Sequence, residues 1–188
     1  MESVGFKEWA LVCEALGRGR QSVLLRKGGI AEGREGFGFR HPEFFLFPTF
    51  FHEQLAKTRT ESEHLSQPED GEIEIRYFAR LEFAALVTSW ETVEALEPFH
   101  TLKREVVRER FEYDSSSGIH LGFVRVYRLR PSWIFPDATK YGGCRSWVSL
   151  PPRAEEREGE PVLGEAEHDR RRQALEGLVG EAVSFPSF

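Results

Sequence analysis

Two cations and two glycines stand together at Arg26-Lys27-Gly28-Gly29. Glycines let a backbone turn with successive N–H groups pointing outward, and such a nest beside positive charge can cradle a phosphate or another anion. The plainer reading is a solvated turn in which the glycines only supply positive φ and Arg26 pairs with Glu32. A second constellation is Gly143-Cys144-Arg145-Ser146-Trp147. If a strand runs from Arg145 to Leu150, Arg145 and Trp147 alternate onto one face and offer a cation and a ring to the same ligand. Cys144, between Gly and Arg, is read as a small buried residue at the strand start ahead of a thiolate nucleophile. His52-Glu53-Gln54 opens like a zinc-protease helix, but position 56 is Ala where the second His is required. No metal site and no cofactor are therefore expected. His52 and Glu32 are instead supporting polar residues beside the cations.

Other chemistries fit less well. A metal-dependent nuclease of the PD-(D/E)XK kind needs an acid two residues before a lysine to hold a divalent ion beside it. The lysines are Lys7, Lys27, Lys57, Lys103 and Lys140, preceded at that spacing by Gly5, Leu25, Leu55, Thr101 and Ala138. Glu72, Glu74 and Arg76, or Asp137 with Lys140, give at best a degenerate variant. The chain has no G-x-x-x-x-G-K-[ST] phosphate loop, no G-x-S-x-G elbow and no G-x-G-x-x-G after a strand. Lys103, Arg104, Arg108 and Arg110 interleave with Glu105, Glu109 and Glu112, the pattern of a self-paired, solvated helix face.

Elements must hold these groups in place. Lys7–Leu16 has Trp9, Val12, Cys13 and Leu16 at helical spacing, and Gln21–Arg26 reads as a strand that delivers the two cations to its end. Lys27–Phe39 is glycine-rich loop, Phe44–Phe47 a strand, and Pro48 suits the first turn of a following helix. Glu72–Val87 is long and strand-like, with Ile73, Ile75 and Tyr77 alternating with Glu74 and Arg76, and its length calls for a bulge. Thr88 and Glu91 have capping-box spacing before a short helix over Ser89–Glu97. A helix carrying Leu102, Val106, Val107 and Phe111 follows, then a turn at Asp114–Gly118, a strand over Ile119–Leu129 and the short strand Arg145–Leu150. These elements make residues 1–150 one α+β domain. Residues 151–167 read as an acidic linker, and 168–188 as a helix and tail whose apolar stripe, Ala174, Leu175, Leu178, Val179, Ala182 and Val183, must dock on the body or on a second copy.

Composition bounds the partners. The chain has 188 residues, 40% hydrophobic and 30% charged, with 16 Phe, so burial of aromatic rings drives folding. A net charge of −6 argues against a protein that coats DNA indiscriminately, while leaving room for a local basic patch. Charges interrupt every apolar stretch well short of the ~18 residues of a membrane span, and no signal peptide is visible. Two distant cysteines without a C-x-x-C partner suit a reducing cytoplasm.

Lys7-Glu8-Trp9, Leu24-Leu25-Arg26-Lys27-Gly28-Gly29-Ile30, Glu32, Phe45-Leu46-Phe47-Pro48-Thr49 with His52, Arg125-Val126-Tyr127 and Gly143-Cys144-Arg145-Ser146-Trp147 together resemble a prokaryotic family, domain of unknown function 1802, over roughly residues 5–150. More loosely, a helix, a Gly-containing gap and a strand ending in Arg-Lys resemble the opening of PUA-like β-barrels, a group including ASCH and EVE domains that bind RNA or modified bases. That resemblance implies a mixed, partly closed β-barrel with peripheral helices and a C-terminal docking helix. Taken with the residue readings above, it points to non-catalytic recognition of DNA, RNA or a nucleotide-like anion by Arg26, Lys27, Gly28, Gly29, Glu32, His52, Arg145 and Trp147. A metal-dependent nuclease and a protein-interaction module, self-associating through the C-terminal helix, remain the alternatives. All of this requires the end of the QSVLLRK segment to meet the CRSW segment in space.

Overall fold

A computed structural model describes residues 3–27, 37–60, 69–113, 117–153, 159–180 and 183–184. Gly28, Gly29 and Glu32 lie outside the described residues, as does most of the expected turn at Asp114–Gly118.

The chain opens with a strand, β1 (Val4–Trp9), and the helix begins only afterwards, as α1 (Ala10–Gly17). The expected helix from Lys7 is thus corrected to a strand–helix junction. The reason is tertiary: β1 pairs in parallel with β3 (Glu43–Thr49) on one side and antiparallel with β6 (Trp147–Ser149) on the other. Two ladders outweigh the local helical preference of a six-residue stretch. In α1 almost every side chain is buried, and its N-terminus lacks a capping side chain of its own. The buried Gln54, first residue of α2 (Gln54–Lys57), supplies the acceptor, its Oε1 taking the Leu11 N–H at 3.1 Å. Pro48 lies within β3, not in a helix, and the expected helix after it shrinks to α2.

The remaining strands are β2 (Val23–Arg26), β4 (Glu72–Val87), β5 (Ile119–Pro136), β7 (Gly159–Pro161) and β8 (Val183–Ser184). The path runs β2-β5-β4-β3-β1-β6, with β7 on β5 and β8 on β4. This is an open mixed sheet with helices around it, α+β in class. The expected barrel is corrected to that extent, because β2 and β6 end the path without a ladder between them.

Strand alternation distributes the apolar side chains between two cores. Phe6, Phe44 and Leu46 belong to the larger, and Phe45, Phe47 and Val148 to the smaller. The long β4 changes sides. A register shift between Ile75 and Tyr77 puts Ile73 and Ile75 in the smaller core and Tyr77 in the larger, although all three share one parity in the sequence.

After β4, Ser89 caps α3 (Trp90–Ala95) by accepting the Thr92 N–H at 3.3 Å, a role the spacing had given to Thr88. The next helix, α4 (Arg104–Phe111), buries Val106, Val107 and Phe111. The last helix, α5 (Glu165–Val179), starts ahead of the expected boundary, and β7 lies inside the stretch read as linker. Its buried stripe is His168 and Leu175, with Arg171 and Val179 beside them, while Ala174 and Leu178 are exposed. Leu175 belongs to the larger core, so α5 packs on the body. Among the described residues no helix is long and apolar enough to cross a membrane.

Candidate functional site

The two ends of the sheet meet through a side chain. Arg26, last residue of β2, donates its Nε–H to the Ser146 Oγ at 3.0 Å, immediately before β6. Its guanidinium also lies 5.7 Å from the centre of the Phe6 ring, a cation–π contact. Phe6 pairs directly with Trp147 across the β1–β6 ladder, and their rings meet edge to face at 4.9 Å. Trp147 is half-buried, touches Phe44 and His41 at 5.2 and 4.8 Å, and donates its indole N–H to the Gly38 carbonyl at 3.3 Å. The QSVLLRK and CRSW segments are therefore neighbours.

Lys7 reaches the same turn from the other face of β1. Its ammonium donates to the Tyr141 and Gly143 carbonyls at 2.6 and 2.8 Å. Burial lowers its pKa, and the charges of Arg145 and Arg26 push the same way, partly offset by Cys144 and Asp137. Arg145 is exposed and precedes β6, so it does not alternate with Trp147 along a strand; the residue turned inward is Ser146. Cys144 is exposed too, in that turn, and not the buried strand-start residue expected of it.

Five predicted residues are placed elsewhere or lie outside the described residues. Lys27, just past the end of β2, donates to the Gly118 carbonyl at 3.0 Å and the Phe111 carbonyl at 3.4 Å, closing the C-terminal end of α4. His52 is exposed on the turn before α2. The glycine nest at Gly28-Gly29 and its companion Glu32 fall outside the described residues.

Sequence reasoning missed a buried ion pair behind the cluster. Glu8 is 2% exposed, and its Oε1 accepts the Trp9 N–H at 2.9 Å and stands 3.7 Å from the Arg110 guanidinium. Arg110 donates to the Leu25 carbonyl at 2.7 Å and covers the Trp9 ring at 4.7 Å. Burial lowers its pKa while Glu8 raises it. A signal was available: Arg110 follows Val106 and Val107 by four and three residues, on the buried stripe of α4. Arg108 pairs with Glu112 as the charge pattern predicted, whereas Arg104 pairs with Glu94 of α3 and not with an acid of its own helix.

The nuclease positions are differently occupied. Glu74 is bound by Arg76 at 2.6 Å, which holds its carboxyl below the usual range. Among the described residues no three His, Cys, Asp or Glu side chains are gathered to hold a metal ion.

The profile of a domain of unknown function, DUF1802, matches residues 5–174. The chain belongs to the DUF1802 family. Comparison with curated proteins gives no match. Among solved structures this DUF1802 domain is similar to the ASCH protein of Zymomonas mobilis, at 13% identity and a TM-score of 0.48, covering 93% of this chain and 95% of that one. A serine-to-alanine mutant of the same protein aligns at 12% identity with a TM-score of 0.49, covering 93% and 96%.

Proposed function

We propose that this DUF1802 domain is a non-catalytic binding module for a nucleic acid or nucleotide-like anion, which docks where Arg26, Arg145 and Trp147 converge. The observation that carries the reading is the Arg26–Ser146 hydrogen bond of 3.0 Å. It draws a half-buried cation from one end of the sheet to a turn bearing an exposed arginine, beside a half-buried indole. Lys7 adds a third positive charge from below. Both Arg26 and Lys7 spend their described hydrogen bonds on neutral oxygens, a hydroxyl and two carbonyls, which leaves their charge for a ligand. An incoming phosphate gains charge-assisted bonds there, and a base can lie against the Trp147 edge.

Within this proposal the sheet, drawn together at Arg26 and Ser146, is an unclosed relative of a PUA-like barrel. The unpaired thiols of Cys13 and Cys144 support a reducing, cytoplasmic setting. Leu178, 38% exposed on α5, is the side chain that supports self-association through that helix.

Titration of labelled single-stranded and duplex DNA and RNA, followed by fluorescence anisotropy, tests the reading. Arg26→Gln combined with Arg145→Gln should weaken binding by about tenfold or more and reduce its salt dependence. Unchanged affinity in a folded double variant overturns it.

A further inference from the structure

The turn between the short helical segment at Thr139–Tyr141 and β6 has a backbone arranged for an anion. Lys7 pulls the Tyr141 and Gly143 carbonyls toward its ammonium at 2.6 and 2.8 Å. Across a planar trans peptide a carbonyl and the N–H that follows it point in opposite directions. The Cys144 N–H, attached to the Gly143 carbonyl carbon, is therefore turned away from the lysine. The Gly142 N–H returns to the Thr139 carbonyl at 3.1 Å. Gly143 adopts φ +79, where only glycine is at ease, and nothing stands within 4 Å of where a Cβ would project. Gly142, Gly143, Cys144 and Arg145 are all exposed. The outward Cys144 N–H, beside the exposed Arg145, offers a backbone donor to an anion.

Charge distribution narrows what such a turn takes. Among the described residues, several arginines away from this turn are matched with carboxylates: Arg18 with Glu14, Arg80 with Glu43, Arg108 with Glu112, Arg125 with Glu165 and Arg171 with Glu167. At this turn the charges of Lys7, Arg26 and Arg145 are felt together, so positive charge is gathered at one point. The net charge of −6 repels the rest of a long polyanion. A dianionic terminal phosphate gains more from one concentrated site than an internal diester carrying a single charge.

We propose that the Gly143–Arg145 turn, with Arg26 above and Lys7 beneath, seats a terminal phosphate monoester, carried by a free mononucleotide or by the end of a nucleic acid strand. The inference rests on the reading of this region as a nucleotide-type anion site. It stands apart from the nest expected at Gly28-Gly29, which lies outside the described residues.

The test uses the full chain and two labelled single-stranded DNA oligomers of identical sequence, one with a 5′-phosphate and one with a 5′-hydroxyl, with AMP and adenosine as competitors. The phosphorylated oligomer should bind about tenfold tighter. Arg145→Gln, an exposed change that leaves packing untouched, should erase that preference, and Lys7→Gln should do the same by releasing the carbonyls. Competition by AMP and not adenosine assigns the monoester to a mononucleotide. Failure of AMP to compete, with the preference intact, assigns it to a strand end. Equal affinity for the two oligomers, still weakened by Arg26→Gln, overturns the monoester inference and leaves the broader proposal standing. Absence of binding by AMP and by both oligomers overturns both.

Discussion

Two buried polar residues show how much a single side chain decides here. His100 is 5% exposed with its Nδ1 unpartnered, and burial, followed by the charges of Arg59 and Arg110, lowers its pKa from 6.5 to about 4. Between those values the unfolded chain binds the proton that the folded chain refuses. Stability is therefore full above pH 6.5 and falls as the pH drops toward 4. The loss amounts to at most about 3 kcal/mol. Urea melts across that range should show the slope, and His100→Gln should flatten it. The Glu8–Arg110 pair makes a different prediction. Removing either charge alone, as in Glu8→Met or Arg110→Met, strands its partner in the core and should cost about 3–5 kcal/mol. Glu8→Met with Arg110→Met should cost far less than the two single losses added. If the double variant is simply additive, the pair is not coupled as its geometry implies.

Elements are fixed by contacts between neighbours more than by their own propensities. The end of α1 rests on the face of Tyr77: a Cβ on Gly17 would stand 2.0 Å from its ring. Tyr77 in turn donates to Glu14 at 3.1 Å, and burial, with Glu14 nearby, raises its pKa to about 12. The ring has no room to retreat. Gly17→Ala should lower stability by about 1–3 kcal/mol despite improving helix propensity, as read by thermal or urea unfolding. A gain in stability would mean that the helix and β4 are not in the contact described. β1 and β3 show the same dominance of neighbours. Both looked helical at one end, at Lys7 and at Pro48, and both became strands because each pairs with the other in register from Gly5–Phe45 to Trp9–Thr49.

At the scale of the molecule, α5 is part of the folded body. Leu175 is fully buried, His168 stacks on Phe123 at 4.9 Å, Arg171 reaches the Ser22 hydroxyl at 2.8 Å, and Arg125 grips Glu165. Leu175→Ala should destabilise the whole domain by about 2–5 kcal/mol in one cooperative transition. An unaltered midpoint would show that α5 docks only weakly. The same packing explains why the core continues past residue 150, where composition turns acidic: β7 pairs with β5, and α5 covers the face behind it.

Sequence alone determined the strong local patterns: the strands that end at Arg26, cover Glu72–Val87 and begin at Ile119, the short helices between them, and the family to which the chain belongs. These are legible because alternation and spacing act over a few residues. It also singled out Arg26, Arg145 and Trp147. Tertiary structure alone decided that Arg26 reaches Ser146 while Lys27 turns to the end of α4, that Glu8 and Arg110 are buried together, and that Tyr77 changes cores at a bulge. Each depends on partners about 50 to 120 residues away along the chain, set by a register that no local pattern records.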